Sequence, residues 1–228
     1  MQFSTPFLKE AVLALAKEYY TIPHDVDRLP VRESLSRNYP EFLELSNQFC
    51  EEDDDFKERF ELIRRLHGRK HLECNIDGGV RYAQPHLPAA AASSYVIYSK
   101  GEIIQKDVFT IPPYISEEGT YHLEPRPNST IVSSHITEYE ALNTCLRVLI
   151  NTRMDVFRIR ITLRTDSEVL YNQLKGVSRN RTEHLSRLMQ ESRYLMSQFE
   201  SVDLIKIPRE KNEYANQLVQ DSLNAENF

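Results

Sequence analysis

Leu72, Cys74 and Ile76 alternate with Glu73, Asn75 and Asp77, and the run closes on Gly78-Gly79. A two-residue period sends successive side chains to opposite faces of a strand, so one apolar set faces a core and one polar set does not. A sheet is the frame into which the rest of the chain must fit. The pattern predicts a short buried strand that delivers the Asp77 carboxylate into a glycine turn. Taken alone, Asp77 reads as a turn acid.

Two further strands come next. A connection rich in proline and alanine, Gln84 to Ala92, leads to SSYVIYS (Ser93 to Ser99). Lys100-Gly101 makes a tight turn into EIIQKDVFTI, Glu102 to Ile111. Three successive strands of this kind predict an antiparallel meander. Residues 112 to 130 carry Pro112, Pro113, Gly119, Pro125 and Pro127 and read as a long loop. From Ser134 helix and strand alternate. Ile136, Tyr139, Leu142 or Asn143, Leu146 and Leu149 trace a helix, and VFRIRITL (Val156 to Leu163) a strand. Thr165-Asp166-Ser167 opens a short helix closed by Gly176, and a longer helix runs near Thr182 to Phe199. Val202 to Ile207 is a strand, and a last helix begins at Pro208 with Ala215, Leu218 and Ser222 inward. The order βββαβααβα implies an α/β domain over residues 71–228, a mixed five-stranded sheet flanked by helices.

Residues 1–70 read as a separate small helical module. Ser4 or Thr5 caps a first helix, with Leu8, Val12, Leu15 and Tyr19 at helical spacing, and Pro23 and Pro30 interrupt the chain beyond it. Phe42, Leu45 and Phe49 share a face, as do Phe56, Phe60, Ile63 and His67 before Gly68. The acidic run Glu51 to Asp55 between them reads as a solvated helix start, where acids suit the positive end of the dipole.

The chain has 228 residues, ample for a core. Cys50, Cys74 and Cys145 are too scattered for a zinc motif or a disulfide framework, which points to a reducing, cytoplasmic setting. No stretch is apolar for long enough to span a bilayer. A net charge of −6 argues mildly against nucleic acid as a partner, but from Arg153 to Lys211 there are 12 Lys+Arg against 8 Asp+Glu, a local balance of +4.

Four polar residues need a reason. Glu138 lies on the helical stripe of Leu142, Cys145 and Leu149, and a carboxylate toward a packed face needs a partner or a metal. Its bland reading is a charge near the helix start, with Thr137 and Glu140 as a capping box. Asp166 comes directly after a strand and reads alone as an N-cap. Asn216 sits early in the last helix and means little singly. Jointly, Asp77 and Asp166 stand at strand ends and Glu138 and Asn216 in first turns of helices, where α/β sheets gather their ligand sites. Converging hard oxygens suit Mg²⁺ or Mn²⁺ and poorly suit zinc.

These segments together resemble the type 1 ribonuclease H family, over about Leu72 to Leu223. IDGGVR resembles its first-strand motif, SSHITEYEAL its pattern TNN-x-A-E-Y-x-A-L, and TDSEVLYNQLKG its third motif. PREKNEYANQL resembles PRE-x-N-x-x-A-D-x-L, with Asn216 where the family usually has Asp. The resemblance implies a divalent-metal-dependent endonuclease that hydrolyses the RNA strand of RNA/DNA hybrids. It implies two Mg²⁺, replaceable by Mn²⁺, with Asp77 shared between them, Glu138 and Asp166 each completing one, and Asn216 as the fourth position. Gly78, Gly79 and Arg81 would approach the RNA backbone, and Ser133, Ser134 and His135 the duplex near the scissile bond. The Pro112–Thr130 stretch resembles an insertion and is expected near the site mouth. Residues 1–70 do not resemble the family's basic, aromatic hybrid-binding domain, and their role would be a protein partner or self-association. The neutral Asn216 keeps a second reading open, a weakly active or inactive nucleic-acid-binding module.

Overall fold

The computed structural model of the protein describes residues 5–21, 42–66, 69–84, 87–152, 156–179 and 182–225. The expected cap at Ser4, the prolines at 23 and 30, and the helix end at His67-Gly68 lie outside the described residues. The chain divides into two compact units, residues 1–70 with 149–156, and residues 71–148 with 157–228. Among the described residues no helix is long and apolar enough to cross a membrane.

Among its described residues the first unit has the helices α1 (Thr5–Thr21), α2 (Phe42–Glu52) and α3 (Asp54–Leu66). Its core is Val12, Leu13 and Ala16 against Phe49, Phe56, Phe60 and Ile63. Phe49 meets Phe56 edge-on at 5.4 Å, and Phe56 stacks on Phe60 at 6.0 Å. Of the acidic run, Glu51 and Glu52 end α2, and Asp53 to Asp55 form the start of α3. Asp53 accepts from the Phe56 amide at 3.1 Å and pairs with Lys9 at 2.5 Å. The two together hold its carboxyl below the ordinary value, with Lys9 the larger cause.

In the second unit Leu72, Cys74 and Ile76 are fully buried, as their alternation predicts. The strand they begin does not stop at Asp77. β1 (His71–Gln84) runs on through both glycines and pairs antiparallel with β2 (Leu87–Ser99), Asp77 opposite Ser94 and Gly78 opposite Ser93. Neither glycine has a positive φ, so the expected glycine turn is replaced by continuous strand. The ladder also takes in Ala90 to Ala92, predicted as part of a connection. Their small side chains leave room for a helix, and Ala90 and Ala92 cluster with Val219 and Leu223.

A two-residue turn leads into β3 (Glu102–Ile111), with Lys100 at φ 54° and Gly101 at φ 81°. Two consecutive left-handed residues are what a tight hairpin of the favoured twist requires. The stretch predicted as loop folds on itself into three short strands, β4 (Tyr114–Ile115), β5 (Tyr121–His122) and β6 (Thr130–Ile131), ordered β5-β4-β6. Then come α4 (Ser134–Thr152), β7 (Arg160–Thr165), α5 (Glu168–Leu174), α6 (Glu183–Met196), β8 (Ser201–Lys206) and α7 (Glu213–Ala225). The main sheet has the order β3-β2-β1-β7-β8, antiparallel from β3 to β1 and parallel from β1 to β8. This is the expected mixed five-stranded sheet with helices.

β7 begins at Arg160 rather than Val156, and Val156–Arg158 form a 3₁₀ turn. Its partner begins at His71, opposite Arg160, and a strand lasts only where a neighbour satisfies its backbone groups. The parallel β1/β7 ladder ends at Asn75 and Arg164. Asp77 on β1 and Asp166 after β7 stand just beyond the last pair of that ladder, where the two strands part and parallel sheets open a crevice.

The small sheet is fastened to one side of α4. Tyr121 donates to Glu140 at 2.5 Å and meets His184 edge-on at 6.5 Å, while Arg187 donates to the Glu117 carbonyl at 2.7 Å. Glu140 and Glu138 are two residues apart, hence roughly 200° apart around the helix. The insertion therefore grips the side of α4 away from Glu138, not the site mouth where it was expected.

Candidate active site

Two glycines and two serines bring the site together. A Cβ on Gly78 would lie 2.5 Å from the Thr137 carbonyl carbon and 2.6 Å from the Glu138 nitrogen. Only a bare α-carbon lets β1 touch the first turn of α4, and this contact sets Glu138 beside Asp77. A Cβ on Gly79 would lie 2.9 Å from Val219 Cγ1 and 3.3 Å from Leu223 Cδ1, so this glycine admits α7. Ser93 and Ser94 point to opposite faces of the sheet, as neighbours in a strand must. Ser93 donates to the Thr137 carbonyl at 2.6 Å and Ser94 to the Ala215 carbonyl at 2.8 Å. One helix on each face is thus tied to the strand opposite Asp77.

Asp77 is 5% exposed. Asn216 donates to its Oδ2 at 3.0 Å. Burial raises its carboxyl to about 6, and the charge of Asp166 adds to this, against the Gly78 amide, Arg209 and Asn216. Glu138 is more strongly perturbed. Burial raises it to about 8, the charges of Asp77 and Asp166 add to the rise, and a hydrogen bond from Ser167 opposes it. Its Oε2 is buried and has no hydrogen-bond partner.

Asp166 is not the N-cap that its position suggests. Ser167 caps α5, accepting from the Leu170 amide at 3.3 Å. Asp166 instead accepts from Asn212 at 2.7 Å and faces Arg209 at 3.6 Å. Asn212 is fully buried and also donates to the Ile76 carbonyl at 2.9 Å. It bridges the backbone just before Asp77 to the carboxylate of Asp166. Asn212, Arg209 and Ser167 were not singled out by the sequence reading. The signal for Asn212 was its place one helical turn before Asn216, in PREKNEYAN. The capping box between Thr137 and Glu140 is absent: the Thr137 hydroxyl donates to the Ser134 carbonyl at 2.8 Å, and Glu140 accepts from Tyr121.

Beside Asp77 lies a groove of about 330 Å³. Asp77, Gly78, Gly79, Arg81, Ser134 and Asn216 line it, joined by Arg209, Gln220, Leu223 and Asn224. Ser133 and His135 do not, and Ser133 spends its carbonyl on the Ile136 and Thr137 amides.

The donors are oxygens throughout, which suits a hard divalent cation. The orphaned Glu138 Oε2 and the mutual repulsion of the acids both leave a demand for positive charge that Arg209 alone does not meet. Among the described residues no three His, Cys, Asp or Glu side chains already stand in a metal-holding cluster. The set therefore fits such an ion in chemistry, and an ion would have to draw it together.

The family described as Reverse transcriptase-like matches residues 118–222, a span that includes Glu138, Asp166 and Asn216 but not Asp77. No curated protein matches the chain in sequence. Among solved structures, it is similar to ribonuclease H1 from the halophilic archaeon Halobacterium salinarum NRC-1, at 25% identity and TM-score 0.53, over 68% of this chain and 98% of that one. It is similar in fold to the N-terminal ribonuclease H domain of Rv2228c from Mycobacterium tuberculosis (19%, TM-score 0.53, 68% and 94% of the chains). The same holds for LC11-RNase H1, solved in complex with an RNA/DNA hybrid (22%, TM-score 0.53, 68% and 97%). Sheet order and comparisons define a ribonuclease H-like fold. Within that class the chain resembles the type 1 ribonucleases H.

Proposed function

We propose that the protein is a divalent-metal-dependent endonuclease that hydrolyses the RNA strand of RNA/DNA hybrids. The observation that carries this reading is the buried, unpartnered Glu138 Oε2 beside Asp77 and Asp166, a carboxylate set short of positive charge. Asp77, Glu138 and Asp166 would hold two Mg²⁺, or Mn²⁺ in their place. Such ions, when bound, activate the attacking water and stabilise the leaving oxygen. The chain's own part is to orient and to exclude. Gly78 and Gly79 leave the β1 backbone bare along the groove, and Arg209 and Arg81 offer charge to phosphates. Ser167 orients one oxygen of Glu138, and Asn212 one oxygen of Asp166. Burial raises the Glu138 carboxyl to about 8, so it would have to give up a proton to hold a cation. The test is cleavage of labelled hybrid, double-stranded RNA and DNA in Mg²⁺ and in Mn²⁺, beside Asp77→Asn. Hybrid cleavage lost in the variant is expected; no cleavage by the wild type overturns the reading.

Asn216 favours a second reading, a weakly active or inactive nucleic-acid-binding module. It is neutral, and its amide nitrogen faces Asp77. Its oxygen reaches a shared ion only if the amide turns and gives up that hydrogen bond. On the nuclease reading Asn216→Asp raises activity at limiting Mg²⁺ by about tenfold, the low end of what a neighbouring group contributes to metal affinity. A variant no better than wild type would favour the module.

A further inference from the structure

We infer that the face of α7 carrying Asn216, Gln220 and Asn224 is a track for the sugar edge of the RNA strand, leading away from the carboxylates. The inference rests on the nuclease reading and names how that site would tell RNA from DNA. The three amides recur every fourth residue, so they form one stripe on the helix. All three line the groove that holds Asp77, with Leu223 between them. Gln220 and Asn224 are exposed, and among the described residues neither side chain has a hydrogen-bond partner. The neighbouring Gln217 is different, donating to Asp221 at 2.6 Å on the helix's own surface.

Chemistry selects the ligand. Phosphates are met best by Lys and Arg, and the groove supplies these as Arg81 and Arg209. The stripe itself has no charge. An amide presents a donor and an acceptor together, and a ribose 2′-hydroxyl is likewise both donor and acceptor. A deoxyribose offers neither at that position. From Asn216 to Asn224 the stripe rises through eight residue steps, about 12 Å along the helix axis. A strand rises about 3.4 Å per nucleotide, so the track reaches roughly three nucleotides from the carboxylates. Gly79 makes this possible, since its missing Cβ lets α7 lie against β1 and puts the amides beside the β1 backbone.

The double variant Gln220→Ala/Asn224→Ala tests the inference, since alanine at exposed helical sites favours the helix and folding is kept. Steady-state cleavage of a hybrid in Mg²⁺ is measured together with equilibrium binding, in EDTA, of that hybrid and of the all-DNA duplex of the same sequence. The hybrid KM should rise about tenfold, as two ordinary hydrogen bonds are lost, with kcat within about twofold. Hybrid affinity in EDTA should fall in step and DNA-duplex affinity stay unchanged. The salt slope of hybrid binding should hold, whereas Arg81→Ala lowers it by about one. An unchanged hybrid affinity, or an equal loss on the DNA duplex, overturns the track. If the wild type cleaves no hybrid in Mg²⁺ or Mn²⁺ the nuclease reading falls, and the binding arm alone then decides the track.

Discussion

The two helices that close on β1 treat its carboxylate in opposite ways. The first turn of α4 supplies Glu138, an acid with one oxygen left without a partner. The first turn of α7 and the residue before it supply Asn216 and Asn212, neutral amides that donate to Asp77 and Asp166. One side brings a buried acid with one unpartnered oxygen, the other brings partners without charge. Asp77, between them, is raised by burial and then by the charge of Asp166, and restrained by the hydrogen bond from Asn216. A site of this kind is ordered before any cation arrives, yet remains short of positive charge. The order comes from amides that cost little to bury when paired, and the shortage from acids that cost much.

The comparison is broken most severely at Gly78. Gly78→Ala sets a methyl against the backbone of Thr137 and Glu138, which has no side-chain freedom with which to yield. A stability loss of about 3 kcal/mol or more is expected in urea melts, the upper part of the range for overpacking. Hybrid cleavage should be lost with it.

The charged side is tested by pH. Asp77 is raised to about 6 and Glu138 to about 8, from ordinary values of 3.8 and 4.5. The folded chain therefore keeps protons that the unfolded chain has already released. Stability is complete below the unfolded values and declines as pH rises through the folded ones. Urea melts in EDTA should show this fall, steepest between about pH 4.5 and 6 where both acids contribute and ending near pH 8, and Glu138→Gln should abolish its upper part. Stability that rises over the same range would contradict the arrangement.

The amide side is tested by Asn212→Ala, which removes donors to Ile76 and Asp166. About 2 kcal/mol of stability should go, two hydrogen bonds' worth. Cleavage should fall about 10- to 100-fold through metal affinity rather than hybrid KM, as expected for a residue that positions a ligand. Gly79→Ala should have the smallest effect, about 1 kcal/mol. It meets the side chains of Val219 and Leu223 rather than backbone, and α7 can ease outward. Equal losses at Gly78 and Gly79 would mean that α4 and α7 are held alike.

Much of the fold was legible. The alternation in Leu72 to Asp77, the turn at Lys100-Gly101 and the helical stripes through α4 and α6 each carry their period in a few neighbouring residues. Glu138, Asp166 and Asn216 were legible as polar residues at the ends of such elements, whereas Asp77, read as a strand end, lies inside a strand that runs on to Gln84. The structure joins Asp77 to Asn216 by a hydrogen bond, and Asp77, Glu138 and Asp166 by their mutual charge. Other features were misread for a consistent reason. Gly78-Gly79 and the alanines before Ser93 look like turn and linker because small residues are common there. Here they are small because helices press on them. Asp166 looks like a cap because acids commonly are caps, but Ser167 took that role. The small sheet of residues 114–131 was hidden by its prolines and by strands of two residues each.

By itself, then, the sequence determined most of the strands and helices and the polar residues that punctuate them, because hydrophobic period and chain punctuation act over a few residues. Only the tertiary structure decided that Gly78 seats Glu138, that Ser93 and Ser94 tie helices to both faces of the sheet, and that Asn212 holds Asp166. Those contacts join residues far apart in the chain, and distance in sequence leaves no period to read.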